Sequence, residues 1–499
     1  MILQSIAAHA SARPHALALQ GLDTALSYAQ LLAAVEDCCT DLAGYASNAR
    51  IAIALQNHPA WVVLDIAALS LSLPQVPLPA FFSDDQLRNA VNDAGANLII
   101  TDDAARFHRL FAPVIASERT LHIAGCAVTA LTLTMAQPAL ANATAKITYT
   151  SGTTGHPKGV CLSLSAMLAV ASSIQQAVQL TSNDQHLSVL PLSTLLENVA
   201  GVYACLLAGA CVHLYPSQQV GLNGSSVDVD KLYQALANSH ATTSIFIPEL
   251  LKALTHYCET THAQLPQLRF LAVGGAHVST QLLARAQQCG LPVFEGYGLS
   301  ECASVVTLNT PNAQRAGSVG KALPHVTIKV AEDGELWVKG AACLSYTCLS
   351  AAVDADGFVE TGDIGSCDDD GFWSIQGRKK NIFITSYGRN VSPEWVELLL
   401  TNQALSNQSV IQQACLFGEA KPWNTAVIFT THNANNADID SIITTVNATL
   451  PDYARISRWL TADAPFSVSN AQLTNNGRLK RDAIWQHYQD RINTLYQDS

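Results

Sequence analysis

The sequence predicts an α/β protein built largely on parallel sheet, and three observations carry that prediction. Short apolar strand patterns alternate with helical ones from Ser27 to Val273, the rhythm that covers a parallel sheet with helices on both faces. From about Ala313 the texture changes to short strands with turn signals such as Asp333-Gly334, which predicts a small β-rich section. Beyond the basic turn Arg378-Lys379-Lys380-Asn381 an α/β pattern resumes, so a domain boundary is expected there. With 499 residues, 49% of them hydrophobic, the chain has enough apolar material for more than one core.

In chain order, Ser27 caps a helix running to Leu42. Arg50 to Leu55 reads as a short apolar strand and Ala60 to Leu71 as a buried helix, after which Pro74 and Pro79 break the pattern. Asp84 to Ala94 is a helix and Ala96 to Asp102 a strand. After a hydroxyl-rich run, Ser163 to Val178 reads as a helix and His186 to Leu190 as a strand. Thr194 to Gly209 follows as a helix, Cys211 to Tyr215 as a strand and Val229 to Asn238 as a helix. Ser244 to Ile247 and Leu268 to Val273 are buried strands; Thr327 to Val330 and Glu335 to Lys339 belong to the β-rich section. No repeat of solenoid length is present.

Charged residues make up only 13% of the chain, and 39 Asp+Glu against 27 Lys+Arg give a net charge of −12. That balance argues against nucleic acid or an anionic membrane as the main partner. The 13 cysteines form no C-x-x-C pair and have no histidine at zinc spacing, which fits buried free thiols in a reducing cytosol. Met1 to Ser5 shows no basic stretch leading into an apolar one, so no secretory signal is expected. The most apolar stretches, 61–81 and 195–214, contain Asp65, Glu197 and Asn198 and read as core rather than as membrane spans. The expectation is a cytoplasmic protein without an integral membrane segment, monomeric or homodimeric.

Thr148 to Val160 concentrates hydroxyls (Thr148, Thr150, Ser151, Thr153, Thr154), glycines (Gly152, Gly155) and Lys158. Such a loop wraps N–H groups and hydroxyls around phosphate oxygens while the lysine supplies charge. His156 and Pro157 separate the lysine from Gly155, so it is not a P-loop; alone, it also fits a polar surface turn. Leu271 to Ala276 is an apolar strand ending in Gly274 and Gly275, bare backbone that admits a flat ring or simply turns the chain. In Glu295-Gly296-Tyr297-Gly298-Leu299-Ser300-Glu301, glycines flank an aromatic and Glu301 offers a carboxylate for Mg²⁺ beside phosphates. A turn into a capped helix would read the same way. Asp363, expected at a strand end, fits ordinary turn chemistry after Gly362 and equally a carboxylate placed to accept two ribose hydroxyls, and Arg378 offers a guanidinium to bridge ribose and phosphate. Thr474 to Arg481 is a polar turn loaded with cations, in isolation a solvated loop.

Together and in this order, these segments resemble the adenylate-forming (AMP-binding) superfamily of acyl-CoA synthetases, amino-acid adenylation domains and beetle luciferase. The likeness spans nearly the whole chain: TSGTTGHPKG (150–159), GGA (274–276), EGYGLSE (295–301), GELWVKG (334–340), TGD (361–363), GRKKNIFITSYGRNVSPEWVE (377–397) and NGRLKR (476–481). It implies a large N-terminal domain, 1–379, of two parallel-sheet α/β subdomains plus a small β-barrel-like subdomain. A small mobile α+β C-terminal domain, 380–499, would follow.

The activity implied is ATP-dependent conversion of a carboxylic acid to acyl-AMP, then transfer to a thiol. By this resemblance, Thr150, Ser151, Gly152, Thr153, Thr154, Gly155 and Lys158 hold the β- and γ-phosphates, and Gly274, Gly275, Ala276 and Tyr297, within Glu295 to Gly298, sandwich adenine. Asp363 and Arg378 take the ribose, while Ser300, commonly Thr in the family, and Glu301 serve the α-phosphate and Mg²⁺. The usual catalytic lysine of the C-terminal domain is replaced by Arg478, with Lys480 the substitute. Lys380 occupies the hinge. Tyr387, before Gly388, stands where relatives carry a glycine that leaves room for pantetheine, which bears on transfer to CoA. Leu190 to Glu197 lacks the aspartate that pairs an amino acid's amine and is similar to the fatty acyl synthetase pattern, with Thr194 for the usual His. The small apolar helix around Gly201 suits an alkyl tunnel, as it would suit plain core. The expected acceptor is CoA or the phosphopantetheine of an acyl-carrier protein. Adenylation without transfer, activation of an aryl or amino acid, and a catalytically decayed nucleotide-binding protein are the alternatives.

Overall fold

The computed structural model describes residues 2–45, 48–150, 158–223, 226–276, 278–347, 353–405, 408–430, 434–474 and 477–497. Two large sheets dominate them. In the nine-stranded sheet, Leu17–Gln20, Cys211–Leu214, Gln185–Ser188, Thr243–Phe246, Phe270–Val273 and Val293–Leu299 run parallel as neighbours. In the eight-stranded sheet, Thr144–Thr150, Gln75–Pro77, Ile51–Ala54 and Leu98–Thr101 form the parallel centre. A four-stranded antiparallel sheet follows, ordered Thr327–Val330, Glu335–Lys339, Val359–Cys367, Trp373–Arg378. The last part sets the helices Pro393–Thr401, Asn436–Thr449 and Arg481–Gln497 around the three-stranded sheet Ile411–Phe417, Asn424–Thr430, Ile456–Thr461. The expected α/β class, with its β-rich section and small C-terminal part, is what the chain adopts.

Local chemistry explains the helix ends. Ser27 and Ser83 each accept from the backbone N–H three residues on, while the Gln30 and Gln86 side chains return the bond, two capping boxes. Helix Pro59–Ser70 is different: every residue from Pro59 to Leu69 is buried, because it lies between the two large sheets in one continuous core. An all-round apolar helix needs such a place. The C-terminal part has cores of its own, around Val396, Ile428 and Ile442 and around Ile484 and Tyr488.

One departure from the expected pattern matters. The stretch read as a single helix from Thr194 is a π-helix, Leu196–Tyr203, followed by a short α-helix, Ala204–Ala208. Polar residues in the π-helix reach buried partners on two sides. Glu197 accepts from Ser188 Oγ at 2.7 Å and faces His186 Nε2 at 2.9 Å. Asn198 and Tyr203 join Lys146 and Asp65: Lys146 Nζ lies 2.8 Å from Asp65, 2.5 Å from Asn198 Oδ1 and 2.9 Å from the Tyr203 hydroxyl. Tyr203 and Asn198 also donate to the other Asp65 oxygen, at 2.7 and 3.0 Å. Lys146 is 1% exposed and Asp65 0%. Burial lowers the lysine pKa and the Asp65 carboxylate opposes that shift. Removing one partner leaves a charge without water or counter-ion, at a cost of about 3–5 kcal/mol. Lys146→Met is therefore expected to lower the denaturant midpoint sharply or yield insoluble protein, and an unchanged midpoint would contradict this account.

Candidate active site

The strands Thr144–Thr150 and Lys158–Ser163 pair antiparallel, with Thr150 opposite Lys158, so the hydroxyl-rich loop springs from a closed ladder. Residues 151–157, and with them the expected phosphate contacts of Ser151, Gly152, Thr153, Thr154 and Gly155, lie outside the described residues. Lys158 is described, with Nζ 5.5 Å from the centre of the Tyr346 ring. Strand pairing brings Tyr346 beside Val160, and its hydroxyl donates to Glu301 at 3.1 Å. The cation and the carboxylate expected at the triphosphate thus share one aromatic neighbour. Nothing in the sequence signalled Tyr346; only the strand register does.

Strand Val293–Leu299 runs parallel to Phe270–Val273 up to Glu295 and antiparallel to Ser304–Leu308 from Gly296 onward. At Gly298 a Cβ would collide with the Ser304 carbonyl, and Gly275 has φ +83° in the turn after its strand, so both positions favour glycine. Ser300 and Glu301 begin a single 3₁₀ turn, after which Ala303 and Ser304 both take positive φ, 55° and 117°. Two successive non-glycine residues in that region store strain of the kind found at functional sites.

Asp363 is buried, and its oxygens face Tyr297 OH at 2.7 Å and Arg378 Nε at 2.9 Å. Burial pushes its pKa up while Arg378 and Tyr297 oppose that shift. A carboxylate has about four acceptor positions, so two occupied ones leave room for ligand hydroxyls. Arg378 also donates to the Thr361 carbonyl at 2.9 Å. Glu335, in the GELWVKG motif, links two parts of this site. One of its oxygens accepts from the Gly362 N–H at 2.8 Å and the other lies 2.7 Å from Lys379 Nζ. Asp363 does not end its strand as expected: Val359–Cys367 runs on past it, with a register shift and Gly362 at φ +69° absorbing the irregularity, and the Thr361–Asp363 stretch is tied to both residues that precede Lys380. Arg478 reaches across from the C-terminal part and donates to the Gly275 carbonyl at 2.9 Å, within electrostatic reach of Arg378, Asp363 and Tyr297.

These groups surround one cleft of about 2530 Å³, several times the volume of an ordinary small-molecule pocket, and large enough for more than one substrate. Its walls include Lys158, Thr194, Gly274, Gly275, Gly296, Tyr297, Gly298, Ser300, Glu301, Arg378, Lys380, Arg478 and Lys480. Asp363 and Ala276 are not part of that lining, although their neighbours Gly362 and Gly275 are. Other expected site residues lie elsewhere. Gly201 is packed behind it, where a Cβ would meet Glu197 and His186 at 2.6 and 2.7 Å; the π-helix presents Ala200 instead. Glu295 is buried and off the wall. Tyr387 is 75% exposed beside Gly388, at the end of a two-stranded hairpin that faces solvent. Among the described residues no group of three or more His, Cys, Asp or Glu side chains could cage a metal ion. A Mg²⁺ ion held by Glu301 and phosphate oxygens is consistent with that donor set. No helix among the described residues is long and apolar enough to cross a membrane.

Residues 6–346 match the family model described as AMP-binding enzyme, and residues 380–499 match that of the AMP-binding enzyme C-terminal domain. A long-chain-fatty-acid–CoA ligase of Mycobacterium bovis is 25% identical, over 91% of this chain and 89% of its own. A 2-succinylbenzoate–CoA ligase of Bacillus subtilis is 27% identical, over 82% and 84%. In fold, the chain is similar to o-succinylbenzoate CoA synthetase from Bacillus subtilis, solved with its acyl-adenylate intermediate: TM-score 0.78 at 22% identity, covering 96% and 97%.

Glu295 gives a pH prediction. Burial raises its pKa from 4.5 to about 8, so between those values the folded chain binds a proton that the unfolded chain releases, and stability falls as pH rises. Glu295→Gln is expected to raise the melting temperature at pH values near 8, with the gain shrinking toward pH 5. An equal gain at both ends would contradict it.

Proposed function

The chain belongs to the AMP-binding enzyme family, and on that premise we propose that it is an ATP-dependent acid–thiol ligase acting on a hydrophobic, fatty carboxylic acid. The carboxylate oxygen attacks the α-phosphorus of ATP and pyrophosphate leaves; the thiol of CoA, giving up its proton, then attacks the acyl carbon of the acyl-AMP, forming the thioester and releasing AMP. The observation that carries this reading is the convergence of Lys158, Glu301, Arg378 and Arg478 on one cleft bordered by Tyr297. Two anions must meet in line, so positioning and charge neutralisation supply most of the acceleration.

In this assignment Lys158 and the loop before it bind the terminal phosphates, and Gly274, Gly275, Ala276 and Tyr297 hold adenine. Asp363 and Arg378 hold ribose. Glu301 holds Mg²⁺, which neutralises phosphate charge when bound, and Ser300 borders the α-phosphate. Arg478 takes the place of the family's lysine. Its guanidinium keeps the charge and adds a planar fork, a different donor geometry from an ammonium. With Arg478 inside the cleft and Tyr387 outside it, the arrangement suits adenylation. Rotation of residues 380–499 about Lys380 would bring the Tyr387–Gly388 turn to the thiol entrance for the second step. The CoA ligases among its relatives support CoA as acceptor; carrier-protein phosphopantetheine is the other thiol to test.

Pyrophosphate release from Mg-ATP with a panel of fatty, aryl and amino acids, with and without CoA, tests this directly. Fatty acids are expected to give CoA-accelerated release and an acyl-CoA product. Lys158→Ala and Glu301→Ala should each lower turnover by about a hundredfold or more, the scale for lost transition-state charge stabilisation. Arg478→Ala should slow adenylation while leaving ATP affinity nearly intact. Tight ATP binding without pyrophosphate release from any acid would overturn the enzymatic reading.

A further inference from the structure

Arg478 enters the cleft on a turn that a buried ion pair anchors from one side. Leu473 and Leu479 pair across that turn. The Lys480 N–H donates to the Gln472 carbonyl at 2.9 Å, and the Arg478 N–H to Thr474 Oγ1 at 3.0 Å. Arg481 follows directly and opens the helix Arg481–Gln497. Its guanidinium forks onto the two Glu397 oxygens, each at 2.5 Å, and donates to the Leu416 carbonyl at 3.3 Å. Glu397 is 6% exposed, and its Oε1 also accepts from the Leu416 N–H at 2.6 Å. Burial pushes the Glu397 carboxyl pKa up and Arg481 opposes that shift. A bidentate pair fixes direction as well as distance, so the chain just after Arg478 is held in both.

The same guanidinium lies 3.7 Å from Glu394 Oε1, and that oxygen accepts from the side chain of Asn381, the residue after Lys380. Glu394 and Glu397 belong to helix Pro393–Thr401, where a spacing of three puts them on one face. The start of that helix rests on the strand Trp373–Arg378. Ser392 Oγ donates to the Gln376 carbonyl at 2.9 Å, and a Cβ at Gly377 would come within 3.0 Å of Glu394 Oε2. Glu394 Oε2 is buried and has no hydrogen-bond partner among the described residues. A carboxylate oxygen in that state is destabilising, so this seat of helix on strand is one the protein can leave. Direct contacts thus run from Gly377 and Asn381 through Glu394 and Arg481 to the turn that bears Arg478.

We propose that Arg481 is a positioning residue for the adenylation step: clamped by Glu397 and Glu394, it aims the Arg478 guanidinium into the cleft while the helix Pro393–Thr401 is seated on the strand before Lys380. The inference rests on the acid–thiol ligase reading and deepens it by naming what places Arg478. The Arg478 guanidinium meets the far wall at the Gly275 carbonyl, 2.9 Å away. A displacement of about 1 Å at such a group costs on the order of a hundredfold in rate. Lysine at position 481 would keep the charge and lose the fork. When residues 380–499 rotate about Lys380, the seat at Gly377 opens and Arg478 leaves the cleft, so the thiol step does not draw on this clamp.

The test separates the two half-reactions, with an acid the wild type accepts. Acid-dependent exchange of labelled pyrophosphate into ATP reads adenylation, and thioester formation from supplied acyl-AMP and CoA reads the second step. Arg481→Lys is expected to lower the exchange kcat by about tenfold or more. The KM for ATP and the rate of the second step should stay within about threefold of wild type. In an Arg478→Ala background the same change should cost less than about threefold, because it acts through Arg478. Glu397→Gln, expected to act in the same direction, serves if the lysine variant does not fold. Unchanged exchange, equal loss in both half-reactions, an undiminished loss in the Arg478→Ala background, or a raised KM for ATP at unchanged kcat would each overturn the positioning role and leave the ligase reading standing. Wild-type protein that supports neither half-reaction with any acid would overturn the ligase reading and this role with it.

Discussion

Lys146 is held away from water by Asp65, Asn198 and Tyr203, and both ends of the cleft depend on that contact. The lysine lies on the strand that leads to the hydroxyl-rich loop and, across its hairpin partner, to Lys158. Asp65 lies on the helix enclosed between the two large sheets. Asn198 and Tyr203 belong to the π-helix whose Leu196 and Ala200 line the cleft. A buried ion pair is weak evidence of net stability, since a well-packed apolar replacement can serve as well. Its stronger effect is on geometry. Every partner loses heavily if the elements slide, so the hairpin that carries Lys158 and the π-helix are held in one register.

The charge of the cleft is set against the charge of the chain. The whole sequence carries −12, yet among the described residues nine lysines and arginines and only six aspartates and glutamates line the cleft. Several of the cations come from beyond Arg378, on the C-terminal part, so that part's placement decides how positive the cleft is. The arrangement draws a polyanion inward. The Glu335 carboxylate, linking Gly362 to Lys379, ties the strand Val359–Cys367 to the chain segment from which the C-terminal part departs.

Local signals made much of this legible. Capping serines located helix starts within a residue, the strand–helix rhythm announced parallel sheets, and glycines marked a positive φ at 275 and, at 298, backbone that a side chain would obstruct. What the sequence did not disclose depends on partners distant along the chain. The run from Thr194 to Gly209 has helical periodicity, and only the buried partners of Glu197, Asn198 and Tyr203 explain the wider π turn. Gly201 reads as a pocket residue because it is small. Its smallness instead makes room for the His186–Glu197 pair, one position from the Ala200 that lines the cleft. Tyr346 borders Glu301 only through a strand register that no local pattern encodes. For the hydroxyl-rich run 151–157, composition and the family resemblance are the whole argument.

The measurement closest to the central claim follows the atoms. A fatty acid labelled with heavy oxygen in its carboxylate, incubated with Mg-ATP, CoA and the protein, would be traced into every product. The account predicts one labelled oxygen in AMP and the other in the acyl thioester, since the carboxylate attacks the α-phosphorus and the bond to AMP is then broken at the acyl carbon. Label in pyrophosphate or inorganic phosphate, or the appearance of ADP in place of AMP, would contradict it.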